Sequence, residues 1–243
     1  QSLLMLIPLH PLTRLLTLII MPALLAALLL ATGTVLAHGV DDNTRAFLQQ
    51  NSGMQLMPFI YIGAKHMITG YDHLLFLLGV LFFIFRRREV LLYVSMFTLG
   101  HSLTLLLGVL SNIQVNAYLI DAIISLSVVY KGFDNLGGFQ RLFGHQPDTR
   151  LAVLIFGLFH GFGLATKLQE FQLPDDGLLP NLLAFNLGVE LGQLLALLVI
   201  LGVINLLRST RLFMPLAVST NTLLISAGLM LTAYQLTGYI LYS

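Results

Sequence analysis

Apolar runs long enough to cross a bilayer recur along this chain, at about 57–85, 90–110, 117–137, 151–168, 179–207 and 213–241. A helix of roughly 20 residues matches the hydrocarbon thickness of a membrane. Inside lipid such a run must be helical, because no water is present to satisfy its backbone groups. Only 9% of the 243 residues are charged, 57% are hydrophobic, and the mean hydropathy is +0.88. Soluble domains average about 25% charged residues, so the lipid bilayer is the expected solvent. The expected fold class is all-α, a polytopic transmembrane bundle of six core helices.

The first 37 residues stand apart from these six. Arg14, the apolar run Leu15–Leu30 and small residues before Ala37 resemble a signal peptide. Segment 1–37 is therefore either a leader cut after Ala37 or a retained transmembrane helix, which would be a seventh. Residues 38–56 read as an extracytoplasmic polar loop and 57–243 as one membrane domain. Arg86, Arg87 and Arg88, then Arg141 and Arg150, then Arg208 and Arg211 fall in alternate connections. The positive-inside rule places those connections in the cytoplasm and the C-terminus outside.

The composition also removes function classes. With no cysteine, thiolate metal sites and iron–sulfur clusters are excluded, so any metal must take nitrogen and oxygen ligands. A net charge of +1 without a basic cluster leaves no footprint for nucleic acid.

Chargeable residues nevertheless sit inside the apolar runs. The first holds His66, Asp72 and His73 around Gly70; later ones hold His101 beside Ser102, His160 between Phe159 and Gly161, and Glu190 with Asn186 and Gln193. An ionisable side chain at bilayer depth costs about 2.5–3.5 kcal/mol on insertion scales and usually faces the bundle interior or an ion path. His66 and His73 lie on one face but two turns apart, so they share an ion only if the helix breaks near Gly70. Asp72 is placed to orient an imidazole or to supply an oxygen ligand. Asn186, Glu190 and Gln193, at offsets of four and three, can face one lumen. Lys131 and Asp134 have the spacing of a structural ion pair. His38, Asp41 and Asp42 form a candidate capture site at the outer mouth. Imidazole and carboxylate together suit divalent ions such as Ni, Co or Zn, as substrate or bound ligand, and proton competition for these ligands implies pH-dependent uptake.

The combination His66-x5-Asp72-His73, Phe97-Thr98-Leu99-Gly100-His101-Ser102, Phe159-His160-Gly161 and Phe185-Asn186-Leu187-Gly188-Val189-Glu190 resembles the HupE/UreJ family of hydrogenase and urease accessory membrane proteins. That family is regarded as nickel or cobalt permeases. The resemblance implies a permease of the bacterial inner (plasma) membrane that moves a divalent metal inward. In one branch a second histidine follows the Phe-His-Gly; here Phe162-Gly163-Leu164 follows, so the chain looks closer to the second branch.

Two other functions fit the same residues. An intramembrane zinc-dependent hydrolase acting on a lipid would need three histidines at one ion, with an open position and a lipid-sized cavity. A structural subunit of a homo-oligomer or larger membrane complex would use its polar residues to bond partner helices. No nucleotide-binding motif accompanies the spans, so a transporter here would be passive or ion-coupled.

Overall fold

The computed structural model describes residues 53–84, 87–170, 176–211 and 213–242. The 1–37 leader and the outer residues His38, Asp41 and Asp42 lie outside the described residues. The described residues form an all-helical bundle of α1 (Leu56–Thr69), α2 (Tyr71–Leu81), α3 (Arg87–Leu110), α4 (Ala117–Asn135), α5 (Gly138–Phe143), α6 (Thr149–Gln169), α7 (Leu178–Arg208) and α8 (Phe213–Tyr242). Each expected run is helical, the first as the two pieces α1 and α2; α5 is an additional short turn. By length and composition α3, α6, α7 and α8 can each cross a membrane. At 19 residues α4 is long enough as well, and its three charged residues, Asp121, Lys131 and Asp134, are all buried by neighbours.

Close packing of small residues joins the long helices in pairs. In lipid, association rests on van der Waals contact and interhelical hydrogen bonds, because the tails are as apolar as leucine. Gly188 and Gly192 of α7 lie against the backbone of Ile60 and Ala64 on α1. Gly157 and Gly161 of α6 meet Phe97, His101 and Thr104 of α3, while Gly228 of α8 meets Ser125 and Val129 of α4. At each of these contacts a Cβ would strike the partner helix. The small-residue spacing at 157/161 and 188/192 is thus packing.

The short helix α2 runs inside, touching α1, α4, α7 and α8. Polar bonds fix its C-terminal end. Asn135 Nδ2 donates to Gly79 O at 2.7 Å and to Asn221 Oδ1 at 2.7 Å, tying α2 to α4 and α8. The Arg208 guanidinium donates to the carbonyls of Leu81, Phe82 and Ile84 just past α2, where the negative end of the helix dipole favours a cation. Together these contacts hold α2 in register with the histidines beside it.

Candidate metal centre

The site begins at the break in the first span. Gly70 has φ −72° and ψ 100°, an extended conformation that ends α1 and starts α2. Without the break His66 and His73 would be separated by about 10.5 Å of helical rise; with it their ring centroids are 5.1 Å apart. Glycine is required here for space. A Cβ at this position would come within 2.7 Å of His73 Nδ1 and 3.2 Å of Asp72 Oδ1. The break also brings two helix ends inside the bundle: the C-terminal end of α1, which carries His66 and favours a cation, and the N-terminal end of α2, which stabilises the carboxylate of Asp72. Broken helices that present their ends to an ion are a recurring device of transporters.

Two further helices bring imidazoles to the same place. The centroid of His73 is 6.1 Å from that of His101 on α3 and 5.0 Å from that of His160 on α6. The four rings are 7%, 1%, 0% and 0% exposed, for His66, His73, His101 and His160 in turn, so bulk water does not screen them. One nitrogen from each of His66, His73 and His101 lies within 4.8 Å of the other two. Nitrogens bound to one tetrahedral ion stand roughly 3.3 Å apart when the bonds are near 2.0–2.1 Å, so the trio is looser than a closed shell.

Local hydrogen bonds set the tautomers of two of these rings. His160 Nδ1 lies 2.7 Å from Phe156 O, and His73 Nδ1 lies 3.1 Å from Asp72 Oδ1. A carbonyl and an ionised carboxylate only accept, so in both rings Nδ1 is placed to donate, and the Nε2 of a neutral ring would carry the lone pair. A carboxylate behind an imidazole in this way fixes the ring and raises its basicity toward a metal. The α3–α6 contact is locked by Thr104 Oγ1, which donates to Leu158 O at 2.7 Å. Phe97 completes the wall, stacked on His101 at 6.2 Å and edge-on to His160 at 4.9 Å.

The structure divides the remaining candidates. Gln193 and Asn186 are buried, and Gln193 Oε1 accepts from Thr98 Oγ1 at 2.7 Å, joining α7 to α3. Neither amide atom of Asn186 has a hydrogen-bond partner among the described residues. Its neighbour Phe185 faces His66 with a centroid distance of 6.0 Å. Glu190 does not join this face. It is exposed, and with Ser102 it lines a groove of about 480 Å³ between α3 and α7. Of the three residues expected to share one lumen, Glu190 and Gln193 line the α3–α7 groove together and Gln193 also reaches the cavity at His73, while Gly188 and Gly192 turn toward α1 and Glu190 itself is exposed. Lys131 and Asp134 form the expected ion pair, at 2.6 Å, with Gln146 Nε2 donating to the second carboxylate oxygen at 2.8 Å. Asp121 pairs with Lys167 on α6 at 3.1 Å, a partner the sequence did not suggest. The bonds that Thr98, Asn221 and Arg208 make to other helices also escaped the sequence reading, since a polar residue in an apolar run does not reveal which helix it bonds.

No curated protein and no solved structure matches this chain. A family model described as HupE / UreJ protein matches residues 42–243, a longer stretch than the motifs between 63 and 193. The match covers the whole described bundle, and with the long apolar helices it makes the chain an integral membrane protein, of an accessory or metal-transport kind. The chain belongs to the HupE/UreJ family.

Proposed function

We propose that this protein is a permease for a divalent transition metal, nickel or cobalt, which passes through the buried histidine centre. The observation that carries this reading is the convergence of His66, His73 and His101 from α1, α2 and α3, with His160 of α6 beside them. Four imidazoles offer lone pairs and few charges, which suits a borderline divalent ion better than Mg²⁺ or Ca²⁺. Asp72 orients His73, and the C-terminal dipole of α1 adds negative potential. The ion is cargo, held by neutral ligands loosely enough to leave.

The lipid-hydrolase reading fits the size of the site less well. The cavity at His73 has a volume of about 10 Å³, the scale of a single water or ion rather than an acyl chain. By the positive-inside rule, the arginine-bearing connections face the cytoplasm of a bacterial inner membrane, and transport runs toward them.

Uptake of Ni²⁺ or Co²⁺ by cells expressing the protein tests the proposal. His73→Ala and His160→Ala are expected to reduce uptake to that of cells lacking the protein, at equal membrane abundance. Wild-type uptake by either variant would remove these side chains from the path.

A further inference from the structure

Two cavities lie in line with the histidine centre. The small one at His73 is walled by Phe76, Leu77 and Val80 of α2 and by Tyr93, Val94 and Phe97 of α3. The second, of about 290 Å³, opens at the arginine-bearing end and is lined by Glu89, Lys131, Asp134, Asn135 and Gln146, among others. Val80 and Tyr93 line both cavities; Val94 and Gln193 are shared in the same way between the small cavity and the α3–α7 groove, which makes that groove the competing route. The helix periods explain the alignment. On α3 the residues Glu89, Tyr93, Phe97 and His101 recur every four positions along one stripe, from the polar cavity to the imidazoles. On α2, His73, Phe76, Leu77 and Val80 follow the 3–4 spacing of a single face, over about 10.5 Å of rise.

We propose that the metal ion leaves the histidine centre along the seam between α2 and α3, through an apolar stretch walled by Phe76, Leu77 and Phe97 and past Val80 and Tyr93, into this polar vestibule. The proposal rests on the permease reading and adds its route. An ion held by imidazoles has shed its water and must regain it on release. Phe76, Leu77 and Phe97 offer no oxygen or nitrogen in their side chains, and such a constriction stays shut to a hydrated ion by excluding water. The vestibule beyond has room for several waters at about 30 Å³ each, together with the carboxylate of Glu89. A small parting of α2 from α3 therefore connects the centre to one end of the bundle while the close α3–α6 contact stays intact.

The test separates binding from passage, with Ni²⁺ as the probe. Equilibrium binding is measured on purified protein in detergent and flux in proteoliposomes, for wild type, Val80→Trp and Leu103→Trp. Leu103 lines the outer α3–α7 groove and serves as the control. Val80→Trp is expected to bind Ni²⁺ within about twofold of wild type and to lose at least roughly tenfold in flux, as a blocked constriction requires; Leu103→Trp keeps both. Flux through Val80→Trp within about twofold of wild type overturns the route, as does loss of flux in Leu103→Trp alone. Should Val80→Trp fail to fold, or lose Ni²⁺ binding because Val80 also lines the cavity at His73, Val80→Cys decides. The natural chain has no cysteine, so a cationic methanethiosulfonate reagent leaves wild-type flux unchanged. The reagent is expected to stop flux in Val80→Cys, and undiminished flux after treatment overturns the route. Wild-type protein that neither binds nor passes Ni²⁺ or Co²⁺ sinks the permease reading itself, and the route with it.

Discussion

Two buried polar regions lie along α2, and they are built on opposite rules. At its C-terminal end every group meets its chemical complement: Lys131 with Asp134, Gln146 with the second oxygen of that carboxylate, and Asn135 with Gly79 O and Asn221. At the histidine centre four copies of one group are brought together from α1, α2, α3 and α6. A complementary lattice satisfies its own hydrogen bonds and holds helices together. A set of like imidazoles, two of them with Nδ1 committed to an acceptor, gathers lone pairs that a cation would use. The first region is read as structure and the second as binding.

Substitutions on the two sides should part accordingly. The largest effect is expected from His101→Ala, which removes one of the three grouped ligands; affinity for Ni²⁺ in a titration should fall by more than roughly a hundredfold, beyond the 10–100-fold range of outer-shell changes. Asp134→Leu leaves Lys131 as a buried cation without its carboxylate. It should cost about 3–5 kcal/mol of stability, read as a lower unfolding midpoint in detergent, whereas a small cost would show that the inner pair does not hold the bundle. Asp72→Asn keeps the shape and removes the charge behind His73, so Ni²⁺ affinity should drop by about 10–100-fold; no change would mean that Asp72 does not act through the ring. Smallest of all is Glu190→Gln. With its side chain exposed in the α3–α7 groove, affinity should stay within about twofold of wild type, and a larger loss would return Glu190 to the centre.

The same contrast marks what the sequence carries on its own. The helices were legible because apolar length alone forces them in lipid, and the pair Lys131/Asp134 was legible because both partners lie on one helix. The break at Gly70 was half legible: two histidines seven residues apart around a glycine posed the question, but only the packing of His73 against Gly70 answers it. Glu190 was misplaced because its position around α7 is decided by contacts with two other helices. The stripe Glu89–Tyr93–Phe97–His101 was present in the sequence as a four-residue period. It carried no signal on its own, since in an apolar helix one face looks like any other until a cavity is found beside it.

The account turns on imidazoles of separate helices sharing one ion. X-ray absorption at the nickel edge, on purified protein loaded with Ni²⁺ and freed of excess, tests this most directly. The expected result is about one ion per chain with at least three imidazole nitrogens in its shell at about 2.0–2.1 Å, reduced by one in His101→Ala. An ion bound by water and carboxylate oxygens, or a spectrum that His101→Ala leaves unchanged, would contradict it.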